Sequence, residues 1–285
     1  MHPVFIDKTL NENFLKNGFI KLKLLNKKEV QEIKTILKQY YFNQTSLSET
    51  LSVSLWSDNL ALKVFADNLI KKYLLEKLNS ILQEYEPIWG DVLIKQPHLT
   101  KTFELHQDWT FVDEQQYMSV NVWCPLQDVN YWNGGLQVVP KSHLFLDKIR
   151  GLNITPSYSE IVTEIKKKYV VNIEAEMGEA IIFSHALLHA SPPNRTLKNR
   201  IAIGLNLKPK NIPILHYIFT AKTKNIEKYI VDSNYFLQIG QKTDFANSIK
   251  NGFNDYIVDG TLADTIAPVN HKITAIEFNK QIAHC

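Results

Sequence analysis

The fold class is decided by one stretch of the sequence, AIIFSHALLH at residues 180–189. It begins as a continuous apolar run of the length typical of a buried β-strand and ends at a histidine. Similar short β-prone runs lie on both sides of it, separated by turn residues such as Asn133-Gly134-Gly135. Several short strands joined by irregular loops predict a sandwich or a barrel. The runs are Asp91–Gln96, Met118–Cys124, Gly135–Val139, Val170–Ile173, Ala180–Phe183 and Arg200–Leu207.

The sequence before residue 88 is mainly helical in its pattern. Residues 18–24 alternate apolar and polar side chains, which predicts a short strand. Apolar residues then recur at helical spacing after Asn26, a suitable N-cap, and predict an amphipathic helix to about Tyr41. A second helical pattern covers residues 59–83.

Outside these regions two further helices are predicted. Residues 144–168 form an insertion whose helix ends in three lysines, Lys166-Lys167-Lys168, which we interpret as a solvated helix end. Thr223 to Tyr229 is predicted to be helical within the polar, irregular residues 211–285. Because no Pro-, Gly- or Ser-rich linker divides the chain, we expect one domain.

Composition and charge exclude several classes of protein. The 285 residues are 45% hydrophobic and 21% charged, as in an ordinary globular protein, and the net charge of +3 does not indicate a nucleic-acid partner. The only cysteines, Cys124 and Cys285, favour a reducing compartment over a disulfide framework. We find no signal peptide and no apolar run long enough for a membrane span, so we expect a cytoplasmic protein.

Three residues could together bind a metal ion. His106 and Asp108 are two positions apart, which on a strand would place both side chains on one face. Alone, this pair is more often a surface histidine near a solvated carboxylate. His189 completes a set of two histidines and one carboxylate. That set occupies one face of an octahedral iron(II) ion and leaves three sites for a bidentate co-substrate and dioxygen.

Arg200 adds a second element, 11 residues after His189 (200 − 189). A short loop and a returning strand could place its guanidinium beside the metal, where it could bind a distant carboxylate through two parallel hydrogen bonds. The keto-acid end of 2-oxoglutarate chelates iron and its other carboxylate requires a cation. Taken alone, Arg200 is more simply interpreted as a surface residue in a salt bridge.

Five motifs follow one another in order along most of residues 12–208. They are Asn17-Gly18-Phe19-Ile20 with the helix after it, Leu105-His106-Gln107-Asp108-Trp109, the segment 122–128 (VWCPLQD), the segment 134–143 (GGLQVVPKSH), and Gly178-Glu179-Ala180 through His189 and Asn194 to Arg200. Each motif alone is weak. In this order and spacing they resemble the phytanoyl-CoA dioxygenase family of iron(II)/2-oxoglutarate-dependent oxygenases.

The resemblance implies a fold that is mainly β with flanking helices, around a double-stranded β-helix of the jelly-roll, cupin-like type. It implies a single domain, residues 1–285. Within it, residues 1–87 would be mostly helical, 88–208 would form the core with the metal site, and 209–285 would be an extension acting as a lid or an oligomer contact.

The same resemblance implies the site residues. Iron(II) would bind His106, Asp108 and His189, and 2-oxoglutarate would bind Arg200 with Ser191, Trp123 and Lys95. His185 would not be a ligand, and His143 would brace a loop. The family often has glycine where Lys141 stands, which would alter that loop.

The expected activity is that of a 2-oxoglutarate-dependent non-haem iron dioxygenase that uses O2 to hydroxylate a small-molecule or carrier-linked substrate. Since related halogenating enzymes lack this carboxylate ligand, Asp108 favours hydroxylation, with desaturation or ring formation as variants. Two alternatives stay open on the sequence. One is a zinc hydrolase that uses the same three residues; the other is a non-catalytic jelly-roll binding module.

Overall fold

The computed structural model describes residues 2–41, 51–97, 102–239, 258–268 and 271–285. The helices are α1 (Lys8–Asn17), α2 (Lys27–Tyr40), α3 (Leu60–Asn79), α4 (Val162–Lys168), α5 (Tyr235–Gln238) and α6 (Ala275–His284). The strands are β1 (Phe19–Lys23), β2 (Leu51–Val53), β3 (Tyr85–Lys95), β4 (Phe103–His106), β5 (Val120–Pro125), β6 (Gln137–Val138), β7 (Val171–Asn172), β8 (Glu179–Ser184), β9 (His189–Ser191), β10 (Arg200–Pro209), β11 (Ile214–Thr220), β12 (Asn225–Val231) and β13 (Gly260–Ile266).

Two antiparallel sheets form the jelly-roll core. The larger has six strands in the order β1-β8-β5-β10-β3-β2, and the smaller has four in the order β4-β9-β6-β7. A buried cluster that includes Trp123, Phe183 and Ala202 of the larger sheet and Val138 of the smaller sheet fills the space between them. The expectation of a mainly β fold with flanking helices is confirmed.

The continuous apolar run in β8 is explained by burial on both faces of the larger sheet. Ala180 and Ile182 join the outer core, whereas Ile181 and Phe183 join the core between the sheets. Because side chains alternate along a strand, a strand covered on both faces needs apolar residues at every position. The polar-to-apolar alternation of a half-exposed strand is therefore absent here.

Helices α1, α2 and α3 cover the outer face of the larger sheet. Helix α2 begins at a capping box in which the Asn26 side chain accepts from the Glu29 amide and the Glu29 carboxylate accepts from the Asn26 amide. Its buried residues Val30, Ile33 and Leu37 pack into the same core as β8. The two predicted helices in this region are confirmed, while α1 was not predicted from the sequence.

The structure of residues 214–231 differs from the predicted one. The helix predicted over Thr223–Tyr229 is wrong, because β12 lies there between β11 and β13 in a three-stranded antiparallel sheet. Its β-branched and aromatic side chains suit a pleated surface, and pairing on both edges outweighs the weak helical pattern of so short a segment. Within the described residues, no helix combines the length and the hydropathy needed to cross a bilayer.

One prediction tests the buried face of β8. Ile182 is 0% exposed, whereas Ile276 on α6 is 80% exposed. Ile182→Ala should lower the free energy of unfolding by about 2–5 kcal/mol, because it removes methyl groups from a closed core. Ile276→Ala should change it by no more than about 0.5 kcal/mol. Urea unfolding of both variants measures the difference, and equal effects would contradict the packing described.

Candidate metal centre

The two histidines of the predicted set lie directly opposite each other on neighbouring strands. His106 is the last residue of β4, His189 is the first of β9, and the two pair in register. Their rings are 4.2 Å apart between centroids. Asp108 lies two residues beyond the end of β4, so its position does not come from strand alternation. Its backbone amide instead donates to the His185 carbonyl at 2.9 Å, which turns the chain back toward the histidines.

The three side chains converge. Asp108 Oδ1 lies 3.6 Å from His106 Nε2 and 3.7 Å from His189 Nε2. One potential ligand atom from each residue can be chosen so that all three lie within 4.8 Å of one another. The structure therefore brings together the predicted residues, across 83 positions of sequence (189 − 106).

Hydrogen bonds fix which histidine nitrogens are available. His106 Nδ1 lies 2.8 Å from the Glu104 carbonyl and His189 Nδ1 lies 2.9 Å from the Leu187 carbonyl. Since a carbonyl only accepts, each Nδ1 carries the hydrogen and each Nε2 keeps a free lone pair. A backbone partner of this kind orients an imidazole for metal binding.

The electrostatics of the site favour the deprotonated ligand forms. Burial, assisted by the neighbouring His106, lowers the pKa of His189 to about 4. Burial alone would raise the pKa of Asp108, but the adjacent His189 and His106 outweigh it and hold that pKa below its usual range. At neutral pH His189 therefore presents an imidazole lone pair and Asp108 a carboxylate, which are the forms that bind a metal.

The residues present fit an iron(II) ion. Asp108 Oδ2 is buried and has no hydrogen-bond partner among the described residues, so this carboxylate is not satisfied by the protein alone. Two imidazoles and one carboxylate are the donor set that non-haem iron(II) oxygenases use. A divalent cation at the point where the three side chains converge would satisfy that acceptor.

Arg200 lies at the start of β10, on the face of the larger sheet that looks toward the smaller one. It is 2% exposed, and its guanidinium carbon lies 5.4 Å from the centre of the Trp123 ring. It makes no ion pair with any described residue, and its Nε has no hydrogen-bond partner. Burial lowers its pKa to about 9, so it remains charged at neutral pH. The simpler interpretation, a surface residue in a salt bridge, does not hold.

The other predicted co-substrate residues have different surroundings. Ser191 and Trp123 line the same cavity as Arg200, and Ser191 Oγ donates to the Gly134 carbonyl at 2.8 Å. Lys95 pairs with Arg200 in register, but its Nζ donates to the carbonyls of Ser191 and Pro192 and it is not among the residues that line the cavity. Burial, with the Arg200 charge, lowers the pKa of Lys95 to about 6. Lys95 thus holds the backbone that follows His189.

The cavity has a volume of about 260 Å³ and lies between the two sheets. The three candidate metal ligands, Arg200 and Ser191 form part of its lining. Much of the remaining wall is aromatic and includes Trp89, Trp109 and Phe111. An apolar cavity with a few convergent polar groups is the usual form of a small-molecule site.

His185 and His143 are hydrogen-bonded to other protein groups and lie outside the candidate metal site. His185 is fully buried, with Nδ1 bonded to Ser119 Oγ at 2.8 Å and Nε2 to Asn206 Oδ1 at 2.9 Å, so neither nitrogen is free for a metal. His143 is also buried and its Nε2 lies 3.0 Å from the Leu15 carbonyl. Lys141, just before it, has φ 70°, a conformation that glycine adopts without strain.

A buried ion pair that the sequence analysis did not find fixes the backbone of Asp108. Arg150 pairs with Glu114 through two hydrogen bonds of 2.6 and 2.8 Å, and both side chains are buried. The Nε of Arg150 donates to the Asp108 carbonyl at 2.6 Å. Arg150 lies 36 positions after Glu114 and 42 positions after Asp108, so no local sequence pattern could indicate these contacts.

Comparisons with known proteins identify the family of this chain. The profile of the phytanoyl-CoA dioxygenase family matches residues 14–202. A phytanoyl-CoA dioxygenase of Arabidopsis thaliana is 32% identical over 119 residues, which cover 40% of this chain and 41% of that protein. The match thus spans about two fifths of this curated relative.

Solved structures at lower identity share the fold. The non-heme alpha-ketoglutarate-dependent carbocyclase SnoK from nogalamycin biosynthesis superposes with a TM-score of 0.54 at 16% identity, over 75% of this chain and 89% of SnoK. The epimerase SnoN, in complex with Fe3+, alpha-ketoglutarate and nogalamycin RO, gives 0.53 at 17% identity, over 73% and 87%. HygX from Streptomyces hygroscopicus, with nickel and 2-oxoglutarate bound, gives 0.52 at 14% identity, over 72% and 88%.

The family profile covers well over half of the chain and includes the positions of His106, Asp108, His189 and Arg200. The chain therefore belongs to the phytanoyl-CoA dioxygenase family of iron(II)- and 2-oxoglutarate-dependent oxygenases.

Proposed function

We propose that this protein hydroxylates an unactivated C–H bond of a small-molecule or carrier-linked substrate, releasing succinate and CO2 from 2-oxoglutarate. The observation that carries the proposal is the unpaired, buried guanidinium of Arg200 in the same cavity as His106, Asp108 and His189. The three candidate ligands account for a metal ion alone. A cation buried without a counter-ion is costly, so Arg200 favours an additional ligand that is anionic.

The protein's part in the reaction is to bind, orient and exclude water. When bound, iron(II), 2-oxoglutarate and dioxygen supply the oxidising chemistry. His106, Asp108 and His189 would hold the metal, and Arg200 would bind the far carboxylate of 2-oxoglutarate. The indole of Trp123, stacked near the guanidinium, limits its movement. The aromatic wall keeps water from the reacting carbon.

Two described residues of the segment 209–285 pack behind the site in this proposal, although neither lines the cavity itself. Phe236 on α5 packs against Trp89 and Phe111, with ring centroids 4.7 and 5.3 Å apart. Phe278 on α6 joins a cluster with Leu105, which immediately precedes the ligand His106. These contacts support a single domain over residues 1–285, in which the C-terminal extension supports the site rather than forming a separate unit.

The alternative of a zinc hydrolase gives no role to Arg200. Hydrolysis needs only the metal and its bound water, whereas a buried cation without a counter-ion favours a second, anionic ligand. Oxygen uptake coupled to succinate formation separates the two activities. A non-catalytic binding module would be identified by calorimetry in which neither iron(II) nor 2-oxoglutarate binds.

Removing one ligand tests the metal site. His189→Ala should weaken binding of iron(II), or of nickel(II) as an inert substitute, by at least about a hundredfold, since the site loses one of three protein donors. His185→Gln is the matched control, because His185 is an equally buried histidine four residues away whose nitrogens are already bonded. Calorimetry measures both variants. Loss of binding in the control alone would assign the ligand to His185.

Removing the guanidinium tests the co-substrate site. Arg200→Gln should weaken 2-oxoglutarate binding by about 2–5 kcal/mol, which is roughly 30-fold to several thousandfold, because a buried carboxylate loses its cation. Arg195→Gln removes the same charge from an exposed position. The dissociation constant of 2-oxoglutarate is measured for metal-loaded protein. An unchanged constant in Arg200→Gln would place the anchor elsewhere.

A substrate screen tests the reaction itself. Purified protein is supplied with iron(II), ascorbate and 2-oxoglutarate, and succinate formation is measured for each candidate compound. A substrate should raise succinate formation above the uncoupled rate and yield a product heavier by one oxygen atom. A product without added oxygen would indicate desaturation, ring formation or another outcome in place of hydroxylation.

A further inference from the structure

The cavity holds one carboxyl group that the proposed metal and co-substrate sites do not use. Asp91 lies on β3 and lines the cavity, and it is 8% exposed. Its register partner on β10 is Gly204. A Cβ atom at position 204 would lie 2.3 Å from Asp91 Oδ1, so the absence of a side chain there provides the space that the carboxyl group occupies.

Asp91 has no cation to pair with. No ion pair joins it to any described residue, and the only other residues lining the cavity that carry a fixed charge are Asp108 and Arg200. Lys95 does not line the cavity, and its Nζ donates to two backbone carbonyls. Burial raises the pKa of Asp91 to about 7, and the nearby Trp89 indole only partly offsets this. A buried carboxyl without a counter-ion is costly to ionise, so a ligand that supplies a positive charge would bind favourably.

Other groups that line the same cavity as Asp91 suit a positively charged ligand. Trp89 and Asn121 both flank Asn206 in register and line the cavity, and Asn121 Oδ1 is a buried acceptor without a hydrogen-bond partner. The Trp89 ring packs edge-on against Phe111 at 5.3 Å. Carboxylate and amide acceptors beside aromatic rings are the surroundings that stabilise an ammonium group.

The sum of charges in a cavity that holds iron(II) and 2-oxoglutarate also favours a positively charged ligand. The charges of iron(II) and of 2-oxoglutarate cancel, and those of Asp108 and Arg200 cancel. When Asp91 is ionised, its carboxylate leaves one negative charge beyond these two balanced pairs. A ligand with one positive charge would neutralise this negative charge. A neutral ligand would leave it unchanged, and a ligand with one negative charge would double it.

We propose that the substrate carries a protonated amine, and that this ammonium group binds Asp91 in the part of the cavity walled by Trp89 and Phe111. The inference rests on the proposed function, because it assigns the substrate end of the same cavity. Asp91 then acts as a specificity residue, and the amine fixes which carbon of the substrate faces the metal-binding residues.

Paired ligands test the inference through binding. Protein loaded with nickel(II) and 2-oxoglutarate is titrated at about pH 8 with 2-phenylethylamine, n-hexylamine and cyclohexylmethylamine, each paired with the alcohol of the same skeleton. At least one amine should bind about tenfold more tightly than its alcohol, because only the amine pairs with the carboxylate. Asp91→Asn should remove that preference. Asp264→Asn, which removes an exposed carboxylate, should keep it.

Each outcome has a defined meaning. If no amine binds more tightly than its alcohol, or if Asp91→Asn keeps the preference, the inference is wrong. Metal and 2-oxoglutarate binding are measured in the same samples and should be unchanged in Asp91→Asn. Wild-type protein that binds neither would overturn the proposed function, whereas protein that binds both but prefers the alcohols overturns only the assignment of the amine.

Discussion

The pairing of β4 with β9 is the constraint on which the site depends. Only in the register that places His106 opposite His189 do the two imidazoles lie side by side. A shift of one residue would turn one of them to the other face of the sheet. Within the described residues, β9 is hydrogen-bonded on both edges, to β4 and to β6. The smaller sheet therefore fixes the register, although its strands have only two to four residues each.

The larger sheet serves two different environments. Its outer face meets the helices with apolar side chains such as Ile203 and Leu205 of β10. Its inner face carries Arg200, Ala202, Gly204 and Asn206 on the same strand, which alternate with those apolar residues. Strand alternation thus allows one segment of ten residues to contribute to a hydrophobic core and to a polar cavity at once.

The sequence was most informative where one local pattern determined the outcome. The strands β8 and β10 and the helices α2 and α3 could be predicted, because their periodicity reflects burial within the element itself. His106, Asp108 and His189 were identified through their residue types and order, but the reason given for Asp108 was incomplete. It lies beyond the strand, and its backbone contact with His185 places it. Such a contact has no local signal.

The same limit explains what was not foreseen. Strand β12 depends on partners on both edges, and the position of Asp91 depends on a glycine 113 residues later (204 − 91). The secondary-structure propensity of a few neighbouring residues cannot indicate either the strand pairing of β12 or the contact of Asp91 with position 204. Arg200 could be named from its spacing, but its burial and its lack of a counter-ion emerge only from the folded chain.

The ion pair of Arg150 and Glu114 has a consequence for how metal binding is driven. It ties the carbonyl of Asp108 in place through protein groups alone. The backbone that carries the Asp108 side chain is therefore held in place before any ion binds, so less chain entropy remains to be lost on binding. The entropy of ordering this backbone is lost during folding, when the buried charges of Arg150 and Glu114 pair with each other. The affinity of the site should accordingly depend on a contact that never touches the metal.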